Sequence, residues 1–270
     1  MAWGCNAWCT LGIGKNPKMV RVPTAVAPES FGASVPAFVD AGDGFTMVVT
    51  ADGALYACGM NAWCQLGLGD HACPPFLKHV GDTGKFKGQL ARSMRCGSVH
   101  SIILTEDNTL WSCGLATEPL CGTQDRVAGY VKIPARVRHA RFHGNDVIVF
   151  AAGVSHSAAT TSTGDLYTWG PGVNYSRIDS FKYSALGHNN SHIQWLPRKV
   201  PPVALGGARI GRWHDLRQDF VLAFVMATHK RLGQHCVFHA LLCEIIIIIF
   251  SPVYTPKTLD GFECPLRRLS

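Results

Sequence analysis

Charge is the first thing this sequence has little of. Only 16% of its 270 residues are Asp, Glu, Lys or Arg, against 47% hydrophobic residues, 28 glycines and 15 prolines. Disordered chains show the opposite balance, so a buried core built from short strands and turns is expected. The start, Met1-Ala2-Trp3-Gly4-Cys5-Asn6, lacks the charged stretch and apolar run of a signal peptide. The 11 cysteines are therefore read as reduced thiols of a cytoplasmic or nuclear protein, not as a disulfide framework. On that reading the Asn-x-Ser matches at Asn174 and Asn189 arise by chance.

The common catalytic signatures are also missing. No Cys-x-x-Cys pair is present, which argues against zinc and thioredoxin-like sites. No Gly-Lys-Ser/Thr follows the glycines at Gly67 and Gly69, so they read as turns and not as a phosphate cradle. Neither Gly-x-Ser-x-Gly nor His-Glu-x-x-His occurs. The expectation is a protein with no catalytic residues, no metal and no cofactor. A bilayer needs about 20 apolar residues; Val237 to Tyr254 falls short and contains His239, Glu244 and Pro252. A membrane anchor there is the minor reading, behind a gene-model artefact and beside a segment that caps an open sheet edge.

What the sequence does have is a repeat. Trp3-Gly4-Cys5-Asn6-Ala7-Trp8-Cys9-Thr10-Leu11-Gly12-Ile13-Gly14 returns as Cys58-Gly59-Met60-Asn61-Ala62-Trp63-Cys64-Gln65-Leu66-Gly67-Leu68-Gly69. One glycine series runs Gly4, Gly59, Gly114, Gly170, in steps of 55, 55 and 56 residues. A second runs Gly12, Gly67, Gly122 and Gly187. Each of the last three members of the first series closes a hairpin pattern: Phe45 to Thr50, a turn at Ala51-Asp52-Gly53, then Leu55 to Cys58. Asp107-Asn108 and Thr163-Gly164 fill the same turn, and Asn and Gly both tolerate the positive φ it requires. His100 and His156 hold one place at the head of a strand, which Phe45 holds in the preceding repeat. They are therefore read as packed histidines, since one histidine per repeat cannot assemble a metal site. Cys58 and Cys113 stand where Trp3 and Trp169 stand, and are read as small core hydrophobes.

This pattern, with Cys58 to Gly69 its best example, resembles the repeat of the regulator-of-chromosome-condensation family. The resemblance implies an all-β fold of β-propeller blades, one per repeat. The family typically closes seven blades; this chain has about three to four, an incomplete ring. The repeats are placed at 1–203, with a terminal strand at 1–14 and blades at 36–90, 91–145 and 146–203. Pro171 to Ser184 insert a longer loop in the last blade, a candidate contact site. Gly211-Arg212-Trp213-His214 keeps the Gly-x-x-His spacing, but the closing Trp-Gly never follows, so 204–270 is set apart as a hydrophobic and basic segment.

The net charge of +7 is carried largely by connections between repeats. Lys132, Arg136, Arg138, Arg141, Arg198 and Lys199 form a candidate basic binding rim, while Asp52, Asp107 and Asp165 mark an acidic rim of hairpin turns. Such a rim suits a protein partner, or nucleic acid or chromatin. The function expected first is an interaction scaffold. The family resemblance implies a second, guanine-nucleotide exchange on a Ran-like small GTPase, which needs differential binding between two states and no acid or base. A membrane-tethered repeat protein is the third.

Overall fold

The computed structural model describes residues 1–201 except 33, 82–83, 117–119, 124–128, 172, 175–182, 185 and 189–191. Segment 204–270, with Gly211 to His214 and Val237 to Tyr254, lies outside the described residues. Among the described residues, no helix is long and apolar enough to cross a membrane.

The chain is all-β, and its sheets follow the repeat. β1 (Ala2–Cys5) pairs antiparallel with β2 (Met19–Thr24) in a two-stranded sheet. Next come β3 (Pro36–Ala41), β4 (Phe45–Thr50), β5 (Leu55–Gly59) and β6 (Lys78–Val80), a four-stranded antiparallel meander. A second meander contains β7 (Ala91–Cys96), β8 (His100–Thr105), β9 (Leu110–Leu115) and β10 (Tyr130–Arg136). The third has β11 (Val147–Ala152), β12 (Ser157–Thr161) and β13 (Leu166–Gly170). Its chain then forms a small ladder of β14 (Val173–Asn174) with β15 (Tyr183–Ser184) before β16 (Gln194–Lys199) completes the sheet beside β13. That ladder lies within the inserted segment Pro171 to Ser184. By position in the motif, β1 and β2 correspond to the third and fourth strands of a whole sheet. The described sheets do not close a ring.

The hairpins form where the sequence places them. Gly53, Asn108 and Gly164 occupy one turn position with φ of 82°, 60° and 81°. In the first two turns, Thr50 and Thr105 hydroxyls donate to Asp52 and Asp107, at 2.6 and 2.5 Å. These bonds hold both carboxyls below the usual range.

Sheets stack face to face, and the first strand β7 runs next to both β3 and β11. β8 shows why the core is continuous: all six of its residues are buried. Ile103 packs with Met47, Met94 and Phe86 between the first and second whole sheets. Ile102 and Leu104 point the other way, into a core with Phe150, Tyr167 and Trp169 between the second and third. Strands buried on both faces lose alternation and read as continuous apolar runs.

Candidate functional site

The seam between sheets is built the same way three times. Thr10, Gln65 and Leu120 each stand two residues before a glycine of the second series, and their carbonyl oxygens face the next sheet's third strand. The thiol of Cys58 donates to Thr10 at 3.5 Å and that of Cys113 to Gln65 at 3.4 Å; the Trp169 indole donates to Leu120 at 2.9 Å. Ser101 and Ser157 hydroxyls add bonds to the Gln65 and Leu120 carbonyls at 2.7 and 2.9 Å. The second glycine series is what lets the loop come this close. A Cβ on Gly67 would lie 2.9 Å from Pro134 and 3.0 Å from the Cys113 sulfur, and one on Gly122 would lie 2.7 Å from the Trp169 nitrogen. Gly12 meets Leu77 and Cys58, and Gly187 meets Val200, at 3.2 to 3.3 Å.

The first series sits within the sheets. Gly4, Gly59, Gly114 and Gly170 all have positive φ, from 103° to 132°. At Gly114 a Cβ would meet the Val99 carbonyl at 2.4 Å, and at Gly59 and Gly170 it would meet the equivalent carbonyls of Gly44 and Ser155, just before the second strand, at 2.6 and 2.7 Å. Gly4 has nothing within 4 Å, and Trp3 beside it is 61% exposed, whereas Cys58, Cys113 and Trp169 are fully buried.

The histidines are structural. Ser157 gives its hydroxyl proton to Leu120, so it accepts at 2.9 Å from His100 Nε2, which must carry the imidazole proton. Burial pushes His100 down to about 3, with His156 adding repulsion, and pushes His156 down to about 4. Burial likewise raises the Cys58 and Cys121 thiols to about 12. Thiols so raised are poor nucleophiles at neutral pH. Among the described residues no cluster of three His, Cys, Asp or Glu side chains could hold a metal.

The six basic residues do not share one rim. Lys132 lies near the start of β10, where its carbonyl accepts from Gly69 N at 2.9 Å, beside the Gly-x-Asn loop. Arg136 ends the same strand opposite Trp111 and donates to Thr109 at 3.2 Å, next to the hairpin turn. Arg138 caps the start of the 3₁₀ turn His139–Phe142 that follows, and Arg141 lies within it. Arg198 and Lys199 end β16, and Lys199 Nζ is 2.8 Å from Asp165. The expected separation into a basic rim and an acidic rim therefore fails at Arg136 and Lys199. An outer strand runs antiparallel to the third strand, so its end returns to the hairpin side and meets the aspartates there.

The opposite side carries a feature that the motif reading passed over. Asn6 and Asn61 are fully buried, and each fixes its loop. Asn61 donates to the Asp70 carbonyl at 2.9 Å and accepts from Leu66 N at 3.0 Å; Asn6 bonds Gly14, Pro17 and Leu11 in the same way. Two residues after each asparagine, Trp8 and Trp63 remain 58% and 37% exposed. Their equivalence was legible: Asn-Ala-Trp-Cys occurs twice, with a large aromatic residue on a loop. In the next repeat Ala116 replaces the asparagine.

Comparison with known proteins agrees with this geometry. The model of the Regulator of chromosome condensation (RCC1) repeat matches residues 37–62 and 92–118. The chain is 33% identical over 211 residues to the human E3 ubiquitin-protein ligase HERC2, covering 77% of this chain and 4% of that protein. It is 31% identical over 178 residues to the mouse Secretion-regulating guanine nucleotide exchange factor, covering 64% and 35%. The crystal structure of Prp20p from Saccharomyces cerevisiae superposes with a TM-score of 0.56 at 21% identity, covering 74% of this chain and 45% of that one. The chain thus spans less than half of each of these proteins.

Proposed function

We propose that this chain, built of RCC1 repeats folded as β-propeller blades, is a protein-interaction scaffold. The observation that carries this reading is the repeated seam, in which the Thr10, Gln65 and Leu120 carbonyls each lock one sheet to the next. Loops anchored in this way are presented in fixed relative positions, which lowers the ordering cost of binding a partner. The similar stretches occur in proteins named as a ubiquitin ligase and as an exchange factor, which suits a module that binds and does not itself react. We read 1–203 as the repeat unit, with blades at 36–90, 91–145 and 146–203, and 204–270 as separate from it. Arg138, Arg141 and Arg198 are the basic residues we retain as contacts for an acidic partner on the hairpin side. Nucleic acid or chromatin is the alternative ligand there.

A second reading is guanine-nucleotide exchange on a Ran-like small GTPase. It is favoured by the relative named as an exchange factor and by a structural neighbour studied for binding to Gsp1p and histones. Release of labelled GDP from a panel of such GTPases separates the two. A scaffold leaves the release rate unchanged, while an exchange factor accelerates it in proportion to its concentration. Acceleration by the folded chain overturns the scaffold reading.

A further inference from the structure

The loop side of the sheets brings together exposed aromatic residues and lysines. Trp8 and Met60 both border Gly44, and Met60 precedes the loop that carries Trp63. Trp63 in turn lies 6.1 Å from Tyr130 at the start of β10. Phe76, 57% exposed, flanks the same loops where it bridges Ile13. These side chains form a track across three consecutive sheets. Exposed Lys15 and Lys18 adjoin its first loop, and exposed Lys132 lies beside its second, close to Cys64, whose thiol burial pushes up while the Lys132 charge partly offsets that rise. Among the described residues of this side, Lys15, Lys18, Lys78, Arg95 and Lys132 outweigh Asp40, Asp43 and Asp70, and Lys78 and Asp70 are 3.9 Å apart.

We propose that this track binds an acidic, extended peptide segment of a partner protein, with Trp8 and Trp63 as its apolar anchors and Lys18 and Lys132 as its charge contacts. The proposal rests on the scaffold reading and names the class of partner. The tryptophans occupy equivalent positions in successive repeats, so one partner with a periodic sequence can engage both. Their loops are fixed from beneath by Asn6 and Asn61, so little freedom is lost on binding, and rigid exposed tryptophan is the residue type that dominates binding energy. The excess of lysine selects an acidic partner over a basic one. Packed sheets lie roughly 10 Å apart, which a segment in the polyproline II form covers in one turn of three residues, about 9 Å. Every third side chain of that form faces the same way, so apolar residues at every third position of an acidic segment match the track.

The test uses the full chain and two labelled peptides, one of Asp and Glu with Phe at every third position, the other with Lys and Arg in place of the acids. The acidic peptide should bind about tenfold more tightly or better, with affinity falling as salt rises. Trp8→Ala and Trp63→Ala should each weaken it about tenfold, and Lys132→Glu, a surface change that spares the loop, should weaken it too. Failure of the acidic peptide to bind, equal binding of both peptides, tighter binding of duplex DNA, or unchanged affinity in a folded Trp8→Ala/Trp63→Ala variant overturns the proposal. A natural partner that the same double variant still binds leaves the scaffold reading standing while this surface falls.

Discussion

At the scale of single residues, the informative groups are those whose chemistry the fold suppresses. His100 and His156 are held neutral by burial, at about 3 and about 4, against about 6.5 in an unfolded chain. The depressed folded values mean that the unfolded chain takes up these protons first as pH falls. The stability from keeping both rings neutral is complete above about pH 6.5 and declines as pH drops toward 4, by about 1.4 kcal/mol per pH unit for each histidine. Thermal melts should therefore be flat from pH 7 to 8 and fall steeply below 6.5. His100→Phe, which copies what Phe45 does in the preceding repeat, should shallow that fall while Ser157 keeps its bond to Leu120. An unchanged slope would remove His100 from the account. The glycines allow a paired comparison, because Gly4 and Gly114 share positive φ but differ in surroundings. Gly114→Ala combines backbone strain with a Cβ 2.4 Å from a carbonyl, and should cost more than about 2 kcal/mol. Gly4→Ala carries the strain alone and should cost clearly less. Denaturant midpoints of the two variants decide this.

At the scale of elements, the loop after each third strand depends on one buried amide. Asn61→Ala leaves the Leu66 N–H and the Asp70 carbonyl without their partner, which should cost about 2 kcal/mol. Faster hydrogen exchange at Leu66, with exchange in β4 unchanged, is the expected signature. This asparagine, the glycine pairs and the Asp-Gly or Asp-Asn turns were all legible in the sequence, because each is a residue type demanded by a local backbone geometry. The seam was not. Its acceptors are the backbone carbonyls of Thr10, Gln65 and Leu120, three side chains with nothing in common, and its donors include cysteine, tryptophan and serine. A contact made by backbone leaves no conserved side-chain type along the repeat to be read. The distribution of charge was legible only in part. Several of the basic residues expected in connections lie instead in the outer strands, Lys132 and Arg136 in β10 and Arg198 and Lys199 in β16, and which end of a sheet each one reaches follows from the strand direction. That direction brings Lys199 to Asp165 and leaves Lys132 at the other end, with the tryptophans.

At the scale of the whole molecule, each sheet is held by its neighbours, so stability should spread from sheet to sheet as in other repeat arrays. The central sheet offers a direct measurement, since adjacent residues of β8 serve different interfaces. Ile103 contributes to the core shared with β4 and β5, through Met47 and Leu55. Ile102 contributes to the core shared with β12 and β13, through Ala159 and Trp169. Either residue changed to Ala leaves a cavity in a packed seam and should cost about 2 to 5 kcal/mol. The costs should be similar, but the loosened regions should differ. Hydrogen exchange should rise in β4 and β5 for Ile103→Ala, and in β12 and β13 for Ile102→Ala. If both variants instead open all three sheets equally, the sheets unfold as one unit and the seams are not separable interfaces. In that case the loops on either side of a seam cannot move independently, and a partner bound across Trp8 and Trp63 would stabilise the third sheet as strongly as the first.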